Sequence, residues 1–191
     1  MIRNICLIGL PTAGKTTIGK KLFQHLKMGF IDTDELIKQK YDSELPDLIS
    51  KYGQERFLDI EMETITSLKH ENVVLSTGGS VIYREKSMDH LKSVLRSDMY
   101  HLFINKNEFK KRMKQSPLRG IISNPDQSLD KLYNERLRLY DSHSDYIINV
   151  NRNVNLDTFK PYDYWSKDKS PMIMYTNKHK YGNSSYPCPP L

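Results

Sequence analysis

Gly9-Leu10-Pro11-Thr12-Ala13-Gly14-Lys15-Thr16-Thr17 is the stretch on which the reading of this chain turns. It fits G-x-x-x-x-G-K-[ST], follows the apolar run Ile5-Cys6-Leu7-Ile8, and opens a segment in which Ile18, Leu22 and Leu26 recur at helical spacing. A strand, a glycine-bounded loop and a helix are therefore expected in succession. Polyphosphate carries several negative charges, so a loop that holds it needs many N–H donors at short range and few side chains in the way. Gly9 and Gly14 keep the backbone accessible, with Pro11, Thr12 and Ala13 on the curve between them. The helix start turns its free N–H groups and its dipole toward the same point. There Lys15 is expected at the β- and γ-phosphates, Thr17 beside it, and the Thr16 hydroxyl on Mg²⁺.

The rest of the composition narrows the class. A chain of 191 residues suits one domain with its own core and a short appendage. The net charge of +6 is spread along the sequence and suits an anionic ligand. No basic stripe with interleaved aromatics marks a nucleic-acid module, so no nucleic-acid partner is expected. Cys6 and Cys188 form no disulfide framework, which points to a reducing compartment, with Cys6 as a small core residue. No apolar run approaches membrane-spanning length and the first strand is expected from Ile2, so a cytoplasmic protein without membrane partner, acting as a monomer, is expected. The six histidines lack ligand spacing; any metal is expected to arrive with a nucleotide.

Beyond the first helix, Phe30-Ile31 reads as a second strand ending in Asp32-Thr33-Asp34. Carboxylates at the carboxyl end of a strand are placed for ligand or metal work, and Asp or Thr before Glu35-Leu36-Ile37 is equally good helix N-capping chemistry. Helices are expected over Pro46 to Tyr52 and Gln54 to Lys69, then a buried strand at Val73-Val74-Leu75 that ends in Ser76-Thr77-Gly78-Gly79-Ser80, where a ligand can approach the backbone. Glu85 to Leu95 reads as helix, Met99 to Ile104 as strand, and Lys106 to Met113 as helix. The turn-rich stretch from Lys114 to Gln127 reads as a lid. A last helix, Ser128 to Ser142, carries Arg136 inside its apolar stripe, and an inward arginine calls for an anion: a structural carboxylate, a substrate, or else a snorkelling path to solvent. Asp145 to Val150 supplies a fifth strand. The fold expected is α/β, three layers around a central five-stranded parallel sheet with a lid segment, spanning residues 1–155, followed by an irregular tail over 156–191.

In this order the signals resemble the shikimate kinase family, small P-loop kinases that phosphorylate a hydroxyl of shikimate with ATP in aromatic amino acid biosynthesis. The likeness rests on the P-loop, Asp32-x-Asp34, Gly53 with Phe57 and Glu61, Ser76-Thr77-Gly78-Gly79, a lid after Arg112, and Asn134-Glu135-Arg136 before Leu139-Tyr140. The resemblance implies ATP and Mg²⁺ as cofactors and a P-loop kinase fold. It implies Asp32 with Thr16 on the metal, and Asp34 as base and acceptor-hydroxyl ligand. It also implies Gly78, Gly79 and Arg136 on the substrate, with Arg136 at a carboxylate, and Arg112 stacked on adenine.

Three positions depart from the family pattern. Leu58 follows Phe57 where the family has a second carboxylate-clamping arginine, and Arg56 lies on nearly the opposite side of the helix. Ser116 precedes Pro117-Leu118 where the family has its lid arginine, so Arg119 is the residue expected to reach the γ-phosphate. Ser80 replaces the third glycine of the strand-end loop. These departures leave two readings: a kinase for shikimate or a similar hydroxylated acid, or a catalytically impaired nucleotide-binding module with a regulatory role.

Overall fold

The computed structural model describes residues 3–116, 120–123, 127–151, 153–159 and 175–176. Within them the apolar runs form β1 (Asn4–Ile8), β2 (Gly29–Asp32), β3 (Val73–Ser76), β4 (Ser97–Phe103) and β5 (Tyr146–Asn149). They lie in the order β2-β3-β1-β4-β5 and every neighbouring pair among them is parallel. All residues of β1, β3 and β4 are buried, because helices cover both faces of the sheet. That is why the runs at 5–8 and 73–75 are continuously apolar instead of alternating, while the longer β4 also buries Ser97, Asp98 and His101. The five parallel strands expected from the sequence are present, and a two-residue strand β6 (Tyr175–Thr176) extends the edge antiparallel to β5.

The helices are α1 (Lys15–Leu26), α2 (Thr33–Tyr41), α3 (Leu45–Tyr52), α4 (Gln54–Ser67), α5 (Glu85–Asp89), α6 (Lys106–Gln115) and α7 (Leu129–His143). The expected helix over 85–95 is α5 followed by one wide π-helical turn, His90–Val94. Of the stretch read as a lid, Lys114 and Gln115 belong to α6, and Gly120 to Ser123 form irregular chain that returns against α3 and α4. Ile122 there joins Ile37, Leu48, Phe57, Leu58 and Ile60 in a satellite core, and the Gln54 side chain donates to the Ser123 carbonyl at 2.7 Å. Leu58 thus packs as an apolar residue among the α2 and α3 side chains. Arg56 is paired with Glu63 on the exposed face, well away from any clamp role.

Residues past 155 also reach the sheet. After a single 3-10 turn, Leu156–Thr158, the Phe159 side chain is fully buried, its ring 5.1 Å from that of Tyr100, which stacks on Tyr146 at 4.7 Å. Trp165 and the rest of the expected tail, apart from β6, lie outside the described residues. Among the described residues no helix is long and apolar enough to cross a membrane.

Candidate active site

The P-loop takes the shape its glycines permit. Gly14 has φ 92°, in the left-handed region, and caps α1 without a side chain in the way. At Gly9 a β-carbon would sit 2.8 Å from the Leu102 carbonyl of β4, so only glycine fits. Lys15, the first residue of α1, is buried and curls back over the loop, where its ammonium donates to the Gly9 and Leu10 carbonyls at 2.7 and 3.0 Å. One residue on, the Thr16 hydroxyl donates to Asp32 Oδ2 at 2.7 Å and lies 3.5 Å from the Ser76 hydroxyl.

Parallel register explains how residues so distant in sequence meet. Ser76 of β3 lies beside Leu7 of β1 on one flank and Asp32 of β2 on the other, so the three strand ends deliver the P-loop, the carboxylate pair and the glycine loop to one edge. Asp32 caps a helix and also faces the P-loop. Its Oδ1 accepts the Asp34 and Glu35 amides at 3.1 and 3.4 Å, capping α2, while its Oδ2 faces Thr16. Asp34, in the first turn of α2, lines a cleft of about 800 Å³ together with Pro11 through Thr17, Asp32, Thr77 and Gly79. Arg112 and Ser116 border the same cleft, and so do Val150 and Val154, which the sequence did not single out. Arg112 is anchored there by Glu108 and donates to the Thr12 carbonyl at 3.0 Å. Arg119 lies outside the described residues.

Gly78 and Gly79 have separate surroundings. The Gly78 amide donates to the Thr33 hydroxyl at 3.2 Å, and its bare Cα faces the Asp34 and Glu61 carboxyls. Gly79 separates Pro11 from Arg136, which would stand 3.0 and 3.1 Å from a β-carbon there.

Arg136 points inward, as its place in the apolar stripe implied, and its protein partners are mostly uncharged. It is 1% exposed and its guanidinium donates to the Gly79 carbonyl at 3.0 Å, the Tyr83 hydroxyl at 3.2 Å and the Ile122 carbonyl, with its charge 5.2 Å from the centre of the Tyr83 ring. Carbonyl dipoles, a phenol and a π face together solvate the charge of this inward arginine within the protein. Tyr140 completes the arrangement by donating to the same Gly79 carbonyl at 2.6 Å.

Glu61 was legible only as part of a family pattern, yet its carboxyl is strongly perturbed. It is 4% exposed on α4 and accepts a short hydrogen bond from the Ser80 hydroxyl. Burial, and next the Asp34 charge, push its carboxyl up to about 8, against the Ser80 hydrogen bond and the charges of Arg136 and Lys15. An acidic residue at the i+4 position from Phe57, inside an apolar stripe, was the available clue, of the same kind that singled out Arg136.

A strand, a phosphate-sized loop with its lysine, and a carboxylate pair at the end of β2, one strand removed, all on one cleft, define a P-loop phosphotransferase acting on a hydroxyl group. More specifically, the family model described as shikimate kinase matches residues 11–161, and the chain belongs to the shikimate kinase family. A shikimate kinase of Clostridium botulinum (strain Loch Maree / Type A3) is 34% identical over 169 residues, covering 86% of this chain and 98% of the relative. Among solved structures, the Acinetobacter baumannii shikimate kinase in complex with shikimate superposes with a TM-score of 0.70 at 30% identity, over 80% of this chain and 86% of that one. The Aquifex aeolicus shikimate kinase gives 0.68 at 30% identity, over 78% and 88%.

Proposed function

We propose that the chain transfers the γ-phosphoryl group of ATP to a hydroxyl of shikimate or of a closely similar hydroxylated carboxylic acid. The observation that carries this reading is the convergence of Lys15, Thr16, Asp32 and Asp34 on a single cleft whose wall includes Gly79. In this reading Lys15 exchanges the Gly9 and Leu10 carbonyls for phosphate oxygens, while the amides of Gly9 through Thr17 cradle the polyphosphate. Arg112 stacks on the adenine ring, with Val150 and Val154 as the apolar side of its seat. Asp34 accepts the proton of the acceptor hydroxyl, and the glycine loop at Gly78 and Gly79 lets the acceptor lie against the backbone. Arg136 takes the acceptor carboxylate by exchanging its bond to the Ile122 carbonyl for a charge-assisted one. Arg119 is the lid cation.

The donors fit Mg²⁺. The Thr16 hydroxyl and Asp32 carboxylate are hard oxygen ligands 2.7 Å apart, and no cluster of three or more His, Cys, Asp or Glu side chains forms a metal cage among the described residues. Two protein oxygens, completed by phosphates and waters, suit this ion. Held by Thr16 and Asp32, it would neutralise charge on the β- and γ-phosphate oxygens. The same reading takes the chain as a cytoplasmic monomer without nucleic-acid or membrane partner.

ADP release by the purified protein, with Mg·ATP and shikimate, tests the proposal. Shikimate-dependent turnover of about 1–100 s⁻¹ is expected. Background rates with Mg·ATP binding intact would remove shikimate as the acceptor and direct the search to other hydroxylated acids.

A further inference from the structure

Asp34 shares its surroundings with a second carboxyl group. A β-carbon on Gly78 would collide with both Glu61 Oε1 and Asp34 Oδ1, so an oxygen of each carboxyl borders the bare edge of that glycine, and the Asp34 charge acts on Glu61 across it. Two carboxylates so near each other repel, which favours a proton on one of them. Which one is decided by surroundings. Asp34 lines the open cleft, whereas Glu61 is buried beneath the strand-end loop. The groups acting on Glu61 are Asp34 from α2, Lys15 from the start of α1, Ser80 from the loop, and Arg136 and the Tyr140 phenol from α7. Leu58, one turn back on its own helix, offers methyl groups and no charge. Ser80 donates to Oε2, which leaves Oε1, the oxygen on the Asp34 side, to carry a proton.

Building on the kinase reading, we propose that Glu61 is a positioning residue that works in its protonated form: held by Ser80, it points its acid proton toward Asp34 and keeps the acceptor site to a single carboxylate. Asp34 is thereby oriented for the acceptor hydroxyl, and an acidic acceptor meets one negative charge instead of two. Ionisation of Glu61 adds the second charge beside both the base and the acceptor's carboxylate, so kcat/KM falls as pH rises through about 8.

The pH profile of kcat/KM for the acceptor, measured from pH 6.5 to 9.5 in the full chain, reads this directly. Between pH 7 and pH 9 the wild-type value is expected to fall about tenfold, as the protonated fraction of a group titrating near 8 does. Glu61→Gln cannot ionise, so its profile is expected to lose that limb whatever its absolute level. Ser80→Ala removes a hydrogen bond that favours the ionised form, and is expected to move the limb to higher pH. A purely structural Glu61 would lower the rate equally at every pH; an alkaline limb unchanged in Glu61→Gln overturns the proposal. Infrared spectroscopy supplies a readout that needs no turnover. The protein without acceptor should show a protonated carboxylic acid band at pH 7 that disappears through about pH 8 and is missing from Glu61→Gln. Absence of the band from the wild type at pH 7 overturns the proposal. Its presence in a protein that does not turn over shikimate supports the protonated Glu61 and counts against the acceptor assignment alone.

Discussion

Asp34→Asn is expected to lower kcat by about a hundred- to ten-thousand-fold, the range that a positioned general base contributes. Asparagine matches the size of the carboxylate and donates where aspartate accepts, so the acceptor hydroxyl loses the group that takes its proton. The nucleotide half of the site is left standing. Lys15 keeps its carbonyl partners on the loop, and Asp32 keeps both the Thr16 hydroxyl and the α2 amides, none of which passes through the Asp34 side chain. Calorimetry should therefore record Mg·ATP binding within a few-fold of wild type. Undiminished ADP release by the variant would mean that the proton goes elsewhere, and Asp34 would lose its role.

Lys15→Met should act on the other half. The ammonium is buried and already aimed across the loop, held by two carbonyls at 2.7 and 3.0 Å, so it meets the phosphates preorganised. Methionine fills a similar volume and brings no donor. Loss of one such electrostatic contact at the developing charge costs about a hundred- to a thousand-fold in rate, and Mg·ATP affinity should drop with it because the ground-state phosphates use the same contact. The two carbonyls also lose a donor, a cost of about 1 kcal/mol that thermal melting would register. Wild-type affinity and turnover in Lys15→Met would detach this residue from the phosphates. Together the two variants separate the halves of the cleft: one loses chemistry with binding retained, the other loses both.

What the sequence disclosed, and what it withheld, follows from how far apart the partners lie. Gly9 to Thr17 is a local motif in which spacing along the chain fixes geometry in space, and the loop, the αL glycine and the helix start appear where it put them. The strand-end clusters at Asp32-Thr33-Asp34 and Thr77-Gly78-Gly79 were legible because parallel strands all end on one side, so position in a βα repeat predicts convergence. The partners of Arg136 were not, since Gly79 and Tyr83 come from one segment and Ile122 from another, and two of the three contribute backbone oxygens, which leave no mark in a sequence. Glu61 stayed hidden for a related reason: its titration depends on the Gly78 edge and on Asp34, and both are properties of the fold. Val150 and Val154 look like ordinary strand-end and loop residues until the cleft closes around them. Leu58, standing where the family has an arginine, is core beside α2 and α3, because the amphipathic stripe of α4 serves two separate clusters.

The buried phenyl ring of Phe159 bears on how the C-terminal region can be dissected. That ring plugs the space beside Tyr100, under the edge of the sheet that carries β5. Trimming the chain back to residue 155 removes the plug, and emptying a site of that size typically costs about 3–5 kcal/mol, a large fraction of the ~5–15 kcal/mol that holds a whole domain together. A fragment cut there would lose function through melting, whatever the later residues do. The informative boundary falls just past 159, where the aromatic stopper is retained and only the sequence beyond it is taken away.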